Sequence, residues 1–407
     1  MEPQRPEGIR KGTAEYRRAS FALLFAGLAI FNSLYATQAL LPTLTDELGM
    51  TEGGAALTVS ATTGGLALCV VPASILSERF GRGRVLIISA LLATTLGLCL
   101  PLAQTGEQLI VMRFIQGCLI AGTPAVAMTW ISEEIESSDA AGAMGLYIAG
   151  NSIGGLIGRL IPAFALEVAS WRWALFAGAV TALTFSLIMW ALLPAQRRFE
   201  PKRLNPSNEL SAMLRHLSDW RLVGLYATAF LGMGMFVSVY NMFGFRAIDH
   251  FGLPPALAGL VYLMYLSGTW SSARAGVYVK QAGRGRVMAI SAAIMLLGAI
   301  TLISGNLWFT LAGLLLFTAS FFAMHSVASG WVGQVATHDR AEASSAYVFF
   351  YYIGSSALGA LTGWLFQFTS WAGFIGIICG FLALLVGIAT WLALTVKKGG
   401  GSPEPQP

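Results

Sequence analysis

The chain has 407 residues, 56% apolar and 11% charged, with a formal net charge of +5. Soluble domains carry about 25% charged residues, so this chain lacks the material for a water-facing surface, and its mean hydropathy of +0.67 assigns most of it to lipid. Disorder, a secreted disulfide scaffold and a nucleic-acid-binding protein are excluded on the same ground, and Cys69, Cys99, Cys118 and Cys379 sit singly in apolar stretches without metal-ligand spacing.

A hydrocarbon core of about 30 Å takes roughly 20 apolar residues per helix. Twelve stretches meet that need, at 19–42, 55–76, 84–103, 108–130, 142–165, 171–194, 221–244, 254–273, 286–304, 307–330, 345–366 and 371–396. They are continuous apolar runs, without the period-2 alternation of membrane β-barrel strands. The first follows 18 mostly polar residues and lacks a small-residue cleavage site, so it reads as a retained helix and not a removed signal. The prediction is an all-α integral membrane protein of twelve transmembrane helices.

Basic residues set the orientation. Nearly all of the 25 Lys and Arg residues fall in the N-terminal tail, the even-numbered loops and the C-terminal tail. Arg172 and Arg246 lie on the other side, and Arg113 and Arg159 lie inside helices. Both termini are therefore expected in the cytoplasm of a multi-pass protein of the cell (inner) membrane.

The second half repeats the first. Gly81-Arg82-Gly83-Arg84-Val85 returns as Gly283-Arg284-Gly285-Arg286-Val287. Asp46 and Gly49 return as Asp249 and Gly252, Asp139 and Tyr147 as Asp339 and Tyr347, and Ser170-Trp171 as Ser370-Trp371. Matches in order at nearly one offset predict two pseudo-symmetric six-helix bundles, at 19–194 and 221–396. Around them lie a tail at 1–18, a linker at 195–220 with an amphipathic helix from Glu209 to Trp220, and a tail at 397–407.

Two six-helix halves suit alternating access. Over essentially its whole length the chain resembles the major facilitator superfamily, within it the bacterial drug and arabinose-efflux-like exporters. Ser74 through Arg84 resembles the G-x-L-x-D-R-x-G-R-x-R loop between helices 2 and 3, with Ser74 for Gly and Glu78 for Asp. Arg113-Phe114-Ile115-Gln116-Gly117 is similar to R-x-x-Q-G of proton-coupled members, and Gly150-Asn151-Ser152-Ile153-Gly154-Gly155 to the antiporter motif G-P-x-x-G-G, with Asn151 for Pro. The resemblance implies a gating latch of Glu78, Arg79, Gly81, Arg82 and Arg84, in which Glu78 and Arg82 hold the cytoplasmic gate closed against helix 11 and charge partners come from Glu133, Glu134 or Glu136. It gives Gly150, Asn151, Gly154 and Gly155 a place where the halves rock, although i, i+4 glycines also serve plain close packing. It further implies that spans 1, 4, 7 and 10 line a central cavity, which would place there Asn32, Tyr35, Gln38, Arg113, Gln116, Tyr240, Asn241, Phe321, Phe322 and His325, with Tyr347 and Tyr351 added from span 11.

All 20 acidic residues fall in loops, tails or helix ends, so no carboxylate stands mid-membrane. Buried ionisable groups usually have a task in lipid. His325, whose charge changes near neutral pH, is the expected proton carrier, with Arg113 as a fixed charge beside it. Arg159 fits a side chain snorkelling to the interface. A P-loop, HExxH and clustered aspartates are all lacking, which argues against an ATP-driven pump, an intramembrane metalloprotease and a prenyl transferase. The expected protein is no enzyme but a monomeric secondary transporter without cofactor, driven by the proton gradient. Its partners are a small-molecule substrate, protons and membrane lipid. Proton-coupled antiport of small amphiphilic organic compounds is the first reading, and uptake of a small anionic solute by symport the second.

Overall fold

In a computed structural model, residues 7–199, 201, 211 and 213–399 are described. Arg5, Lys202, Arg203 and the start of the amphipathic helix expected from Glu209 lie outside them, and the described part of that segment ends in a 3-10 turn at His216–Ser218.

Lipid offers no partner for backbone N–H and C=O groups, so an apolar run closes its hydrogen bonds within itself as a helix. Among the described residues, eleven helical segments are long and apolar enough to cross a membrane, and no strand forms. The helices are α1 Ala14–Leu34, α2 Leu41–Leu48, α3 Glu52–Phe80, α4 Arg82–Cys99, α5 Gly106–Ile120, α6 Gly122–Glu134, α7 Ala140–Ala165, α8 Trp171–Leu192, α9 Trp220–Phe245, α10 Pro255–Gly259, α11 Tyr265–Ala282, α12 Arg284–Thr301, α13 Leu307–Val335, α14 Arg340–Phe366 and α15 Trp371–Gly399. Thr13, Thr51, Thr105 and Asn306 cap α1, α3, α5 and α13 by accepting a backbone N–H from the first turn.

Three expected spans are interrupted, the fourth only at Ala121 between α5 and α6. The first stops at Leu34, turns through a 3-10 segment at Gln38–Leu40 and resumes as α2. The eighth is helical from Pro255 to Ala282 but tightens to 3-10 at Leu260–Met264, where a single continuous span was expected. Hydropathy averages over such breaks, because the residues around them are as apolar as the helices.

Two compact units emerge from contact density. One is the described part of Met1–Asn208 with Tyr240–Leu263 and Ser355–Phe368, and the other the described part of Glu209–Val239, Met264–Gly354 and Thr369–Pro407. Within the first, α7 packs along α1, α3 along α5, and α4 against α8. Gly150, Gly154 and Gly158 set α7 directly on the α1 backbone, since a Cβ on each would meet the carbonyl oxygen of Leu24, Leu28 or Asn32. Within the second, α11 packs on α13 and α12 on α15, the same pairings one repeat later.

The repeat extends to individual bonds. Tyr16 donates its hydroxyl to the Asp139 carbonyl at 3.1 Å. His216, 200 positions after Tyr16, approaches the Asp339 carbonyl through Nε2 at 3.0 Å. Gly81 and Gly283 carry φ of 98° and 81° at matching turns, a region that strains any residue with a Cβ.

Candidate functional site

The break after Leu34 leaves the last carbonyls of α1 without intrahelical donors, at the end where the helix dipole favours a cation. Arg113 of α5, 0% exposed, fills that place. Its Nη1 donates to Ser33 O at 2.7 Å, Nη2 to Leu34 O at 2.6 Å and Nε to Thr58 O at 3.2 Å. Nη1 also donates to Gln116 Oε1 at 2.5 Å, and Gln116 in turn donates to Ala93 O. Four guanidinium bonds to neutral oxygens commit Arg113 to holding the broken end of α1.

Arg159 is 1% exposed and does not snorkel. Its Nε donates to Gln38 Oε1 at 2.6 Å and Nη1 to Gly155 O at 2.5 Å. The guanidinium lies 4.1 Å from the centroid of the Tyr35 ring and 5.1 Å from that of Tyr262, two cation–π contacts. Gln38 passes the chain on, donating Nε2 to Asn241 Oδ1 at 2.7 Å, and Tyr240 stacks on Tyr262. The Asn241 amide nitrogen and both amide atoms of Asn32 are buried without hydrogen-bond partners. An orphan donor at 1% exposure is costly, and that of Asn241 marks this cluster as a site with a polar task, whereas the Asn32 amide oxygen faces Gly178 of α8.

The second unit holds an aromatic cluster. His325 Nδ1 stands 3.0 Å from the Tyr347 hydroxyl, and its ring lies 4.7 Å from Tyr351 and 6.0 Å from Phe321. Phe236 stacks on Phe321 at 4.2 Å, and Phe322 meets Phe321 edge-on at 5.4 Å. Tyr265 closes one side, 5.9 Å from Phe322. One ionisable ring walled by π-systems suits a flat or amphiphilic organic molecule.

At the basic end of the first unit, Arg82 is 5% exposed. It contacts Glu78 and Glu133, each at 3.2 Å, and donates to Ser77 Oγ at 2.5 Å. Its neighbours Arg79 and Arg84 point outward. Glu134, 2% exposed, accepts the backbone N–H groups of Arg197 and Arg198, tying α6 to the chain after α8.

Residues 23–274 match the family model described as Major Facilitator Superfamily. The chain belongs to this superfamily. It is 40% identical over 382 residues to the inner membrane transport protein YnfM of Escherichia coli, covering 94% of this chain and 91% of that one. It is 35% identical over 390 residues to an uncharacterised MFS-type transporter of Bacillus subtilis, YybF, covering 96% of each. A bacterial homologue of the human lysosomal transporter Spinster shares the fold, with a TM-score of 0.77 at 13% identity over 97% of this chain and all of that one.

This major facilitator is thus a multi-pass membrane protein and a secondary transporter of small molecules, not an enzyme. Of the residues singled out from sequence, Tyr35, Gln38, Tyr240 and Asn241 meet around Arg159, and Phe321, Phe322, His325, Tyr347 and Tyr351 meet one another. The antiporter-like segment splits in function: Gly150 and Gly154 seat α7 on α1, Asn151 Oδ1 crowds Gly27, and Gly155 leaves room for Arg159. Tyr262, Phe236 and Tyr265 were missed. Phe236 is legible afterwards as the i−4 neighbour of Tyr240 on α9, but Tyr262 and Tyr265 follow from the interrupted eighth span, which hydropathy conceals.

Proposed function

We propose that this major facilitator exports small amphiphilic organic molecules in exchange for protons by alternating access. The observation that carries the reading is His325 held between Tyr347, Tyr351 and Phe321. In this arrangement the aromatic rings take the apolar body of the substrate and His325 takes the proton. Protonation makes the cluster cationic and disfavours a cationic or apolar guest. Substrate and proton then occupy it in turn, which is the requirement of an antiporter. The energy source is the proton gradient, with no bound cofactor. The protein works as a monomer in the cell (inner) membrane with both termini cytoplasmic, consistent with the distribution of Lys and Arg.

Arg159 favours a second reading. A buried guanidinium linked through Gln38 to an amide with an unused donor also fits a small anionic solute taken up with protons.

Transport in everted membrane vesicles separates the two. Under a proton gradient, vesicles containing the protein are expected to accumulate amphiphilic dyes and to lose them when a protonophore is added. Accumulation of small organic anions by intact energised cells, with no dye transport in vesicles, overturns export in favour of uptake.

A further inference from the structure

From the cavities at the basic end of the first unit, we infer that it holds one anionic glycerophospholipid, its phosphate on Arg79 and Arg84 and an acyl chain in an adjoining apolar groove. Two concavities meet there. The first, about 570 Å³, lies between the Gly81–Arg84 turn and the segment after α8, and is lined by Arg79, Arg84, Gln196, Phe199 and Trp190 among others. The second, about 480 Å³, runs along α3, α4 and α5, past Leu76, Val85, Ile88, Leu92 and Leu119. Phe80 and Arg84 line both, so the chamber and the groove adjoin at those two side chains.

The chamber is built to receive an anion. Among the described residues, Arg79 and Arg84 make no hydrogen bond or ion pair, whereas Arg82 between them is consumed by Glu78, Glu133 and Ser77. Arg79 lies over the Phe80 ring, 5.7 Å from its centroid, which steadies it beside the chamber. Gln196 accepts the Gly83 N–H through Oε1 at 2.8 Å. That bond fixes the amide orientation, because the flipped amide would set donor against donor. Gln196 Nε2 is left buried with no acceptor. Two uncommitted cations and the orphan donor of Gln196 line one cavity and call for phosphate oxygens.

The groove decides between a lipid and a free phosphate. A soluble anion needs only the chamber. The groove is lined almost wholly by apolar side chains, and Leu76, Phe80 and Ile88 on it are exposed, which suits a hydrocarbon chain continuous with the bilayer. Trp190, 56% exposed, stands at the rim of the chamber, where an indole fits the headgroup level. The second copy of the turn is not built this way. A Cβ on Gly283 would meet nothing within 4 Å, whereas one on Gly81 would stand 3.3 Å from Gln196 Oε1. Arg284 and Arg286 therefore serve as a charge-matched control.

The test uses the purified full chain in mixed micelles with chain-matched phosphatidylglycerol and phosphatidylcholine, and reads bound lipid by native mass spectrometry. One phosphatidylglycerol is expected to remain in preference to phosphatidylcholine. Arg79→Gln with Arg84→Gln is expected to lower that retention by about thirtyfold, at about 1 kcal/mol for each basic side chain near an anionic headgroup. Arg284→Gln with Arg286→Gln leaves it unchanged. Ile88→Trp, which narrows the groove at an exposed position, lowers retention of phosphatidylglycerol while the chamber keeps its charge. Equal losses from the two arginine pairs reduce the effect to diffuse charge and overturn the site. So does equal retention of phosphatidylcholine. Displacement of the lipid by glycerol phosphate or inorganic phosphate at equal concentration makes the chamber a soluble-anion site and overturns the lipid assignment.

Discussion

Gln38 and Asn241, 203 positions apart, share a hydrogen bond of 2.7 Å, and the same Gln38 accepts a hydrogen bond from the Nε–H of the buried Arg159 at 2.6 Å. Gln38 is the hinge of this chain because it alone both accepts from the cation and donates onward. Removing its amide strands a charged donor, while removing that of Asn241 strands a neutral one. Hydrogen bonds to charged groups are worth about 1.5–3 kcal/mol against about 1 kcal/mol for neutral ones. Gln38→Leu is therefore expected to lower the thermal unfolding temperature in detergent more than Asn241→Leu does. Arg159→Lys is expected to be as damaging as Gln38→Leu, because an ammonium neither offers a planar face to the Tyr35 and Tyr262 rings nor presents a fixed fork. The reverse order of the first two variants removes Gln38 from its central place.

Arg82 joins Glu78 and Glu133 at 3.2 Å each, bringing the loop after α3 to the end of α6. As a latch, this network holds in one state and yields in another. Arg82→Ala and Glu78→Ala are expected to slow initial transport in proteoliposomes by roughly tenfold, a change of about 1.4 kcal/mol in barrier, with folded protein still abundant. Wild-type rates for both variants reject the latch.

The stripe on α7 is testable by a single methyl group. A Cβ at Gly154 would lie 2.5 Å from the Leu28 carbonyl oxygen, and backbone cannot move aside as a side chain can. Gly154→Ala is expected to cost about 1–3 kcal/mol, the range of an overpacked core, and to reduce the monodisperse peak in size-exclusion chromatography. At Gly145 nothing lies within 4 Å, and Gly145→Ala is expected to behave as wild type.

What could be read from sequence follows from what lipid imposes. Continuous apolar runs and the Lys and Arg distribution outlined the membrane helices. The repeat of Gly81-Arg82-Gly83-Arg84 at Gly283 anticipated a matching positive φ, because a turn that only glycine tolerates leaves a mark in sequence. Arg159 left no such mark. Its apolar helix and position near the outer end fit snorkelling equally well, and its acceptor lies on the 3-10 turn at Gln38, beyond a helix break that hydropathy does not register. Arg113 was read as a charge facing the transport route because its motif is recognisable. The task it has here depends on α1 stopping at Leu34, a feature of backbone geometry.

Asp339 offers a pH test outside the membrane spans. Its hydrogen bond from Arg215, 2.8 Å long, holds the carboxyl below the usual carboxylate range, aided by the same positive charge. A folded pKa below the unfolded one contributes stability above the unfolded value, near 3.9, which is lost as pH falls through the folded value. The difference in unfolding temperature between wild type and Asp339→Asn is thus expected to be present at about pH 5 and to shrink below about 4. A difference that does not shrink below about 4 contradicts the pairing.

His325 carries the largest consequence for energy coupling. Within its cluster it is the one side chain whose ordinary titration lies near neutral pH. It stands 3.0 Å from a tyrosine hydroxyl and close to two further aromatic rings. The Tyr347 hydroxyl also lies 3.5 Å from the His325 carbonyl, so it donates either to that oxygen or to Nδ1, and protonation of the imidazole forces the first choice. Proton arrival is thereby tied to a rotation of one hydroxyl, at the place where the rings would grip a substrate. Glutamine keeps much of the size and hydrogen bonding of histidine but does not titrate. In proteoliposomes, His325→Gln is expected to abolish substrate-driven proton flux while substrate binding persists. Tyr347→Phe, which keeps the imidazole and removes its partner, is expected to retain proton flux with a displaced pH profile. If His325→Gln keeps the wild-type ratio of protons to substrate, the histidine is a packing residue, and the acids around Arg82 become the next carriers to test.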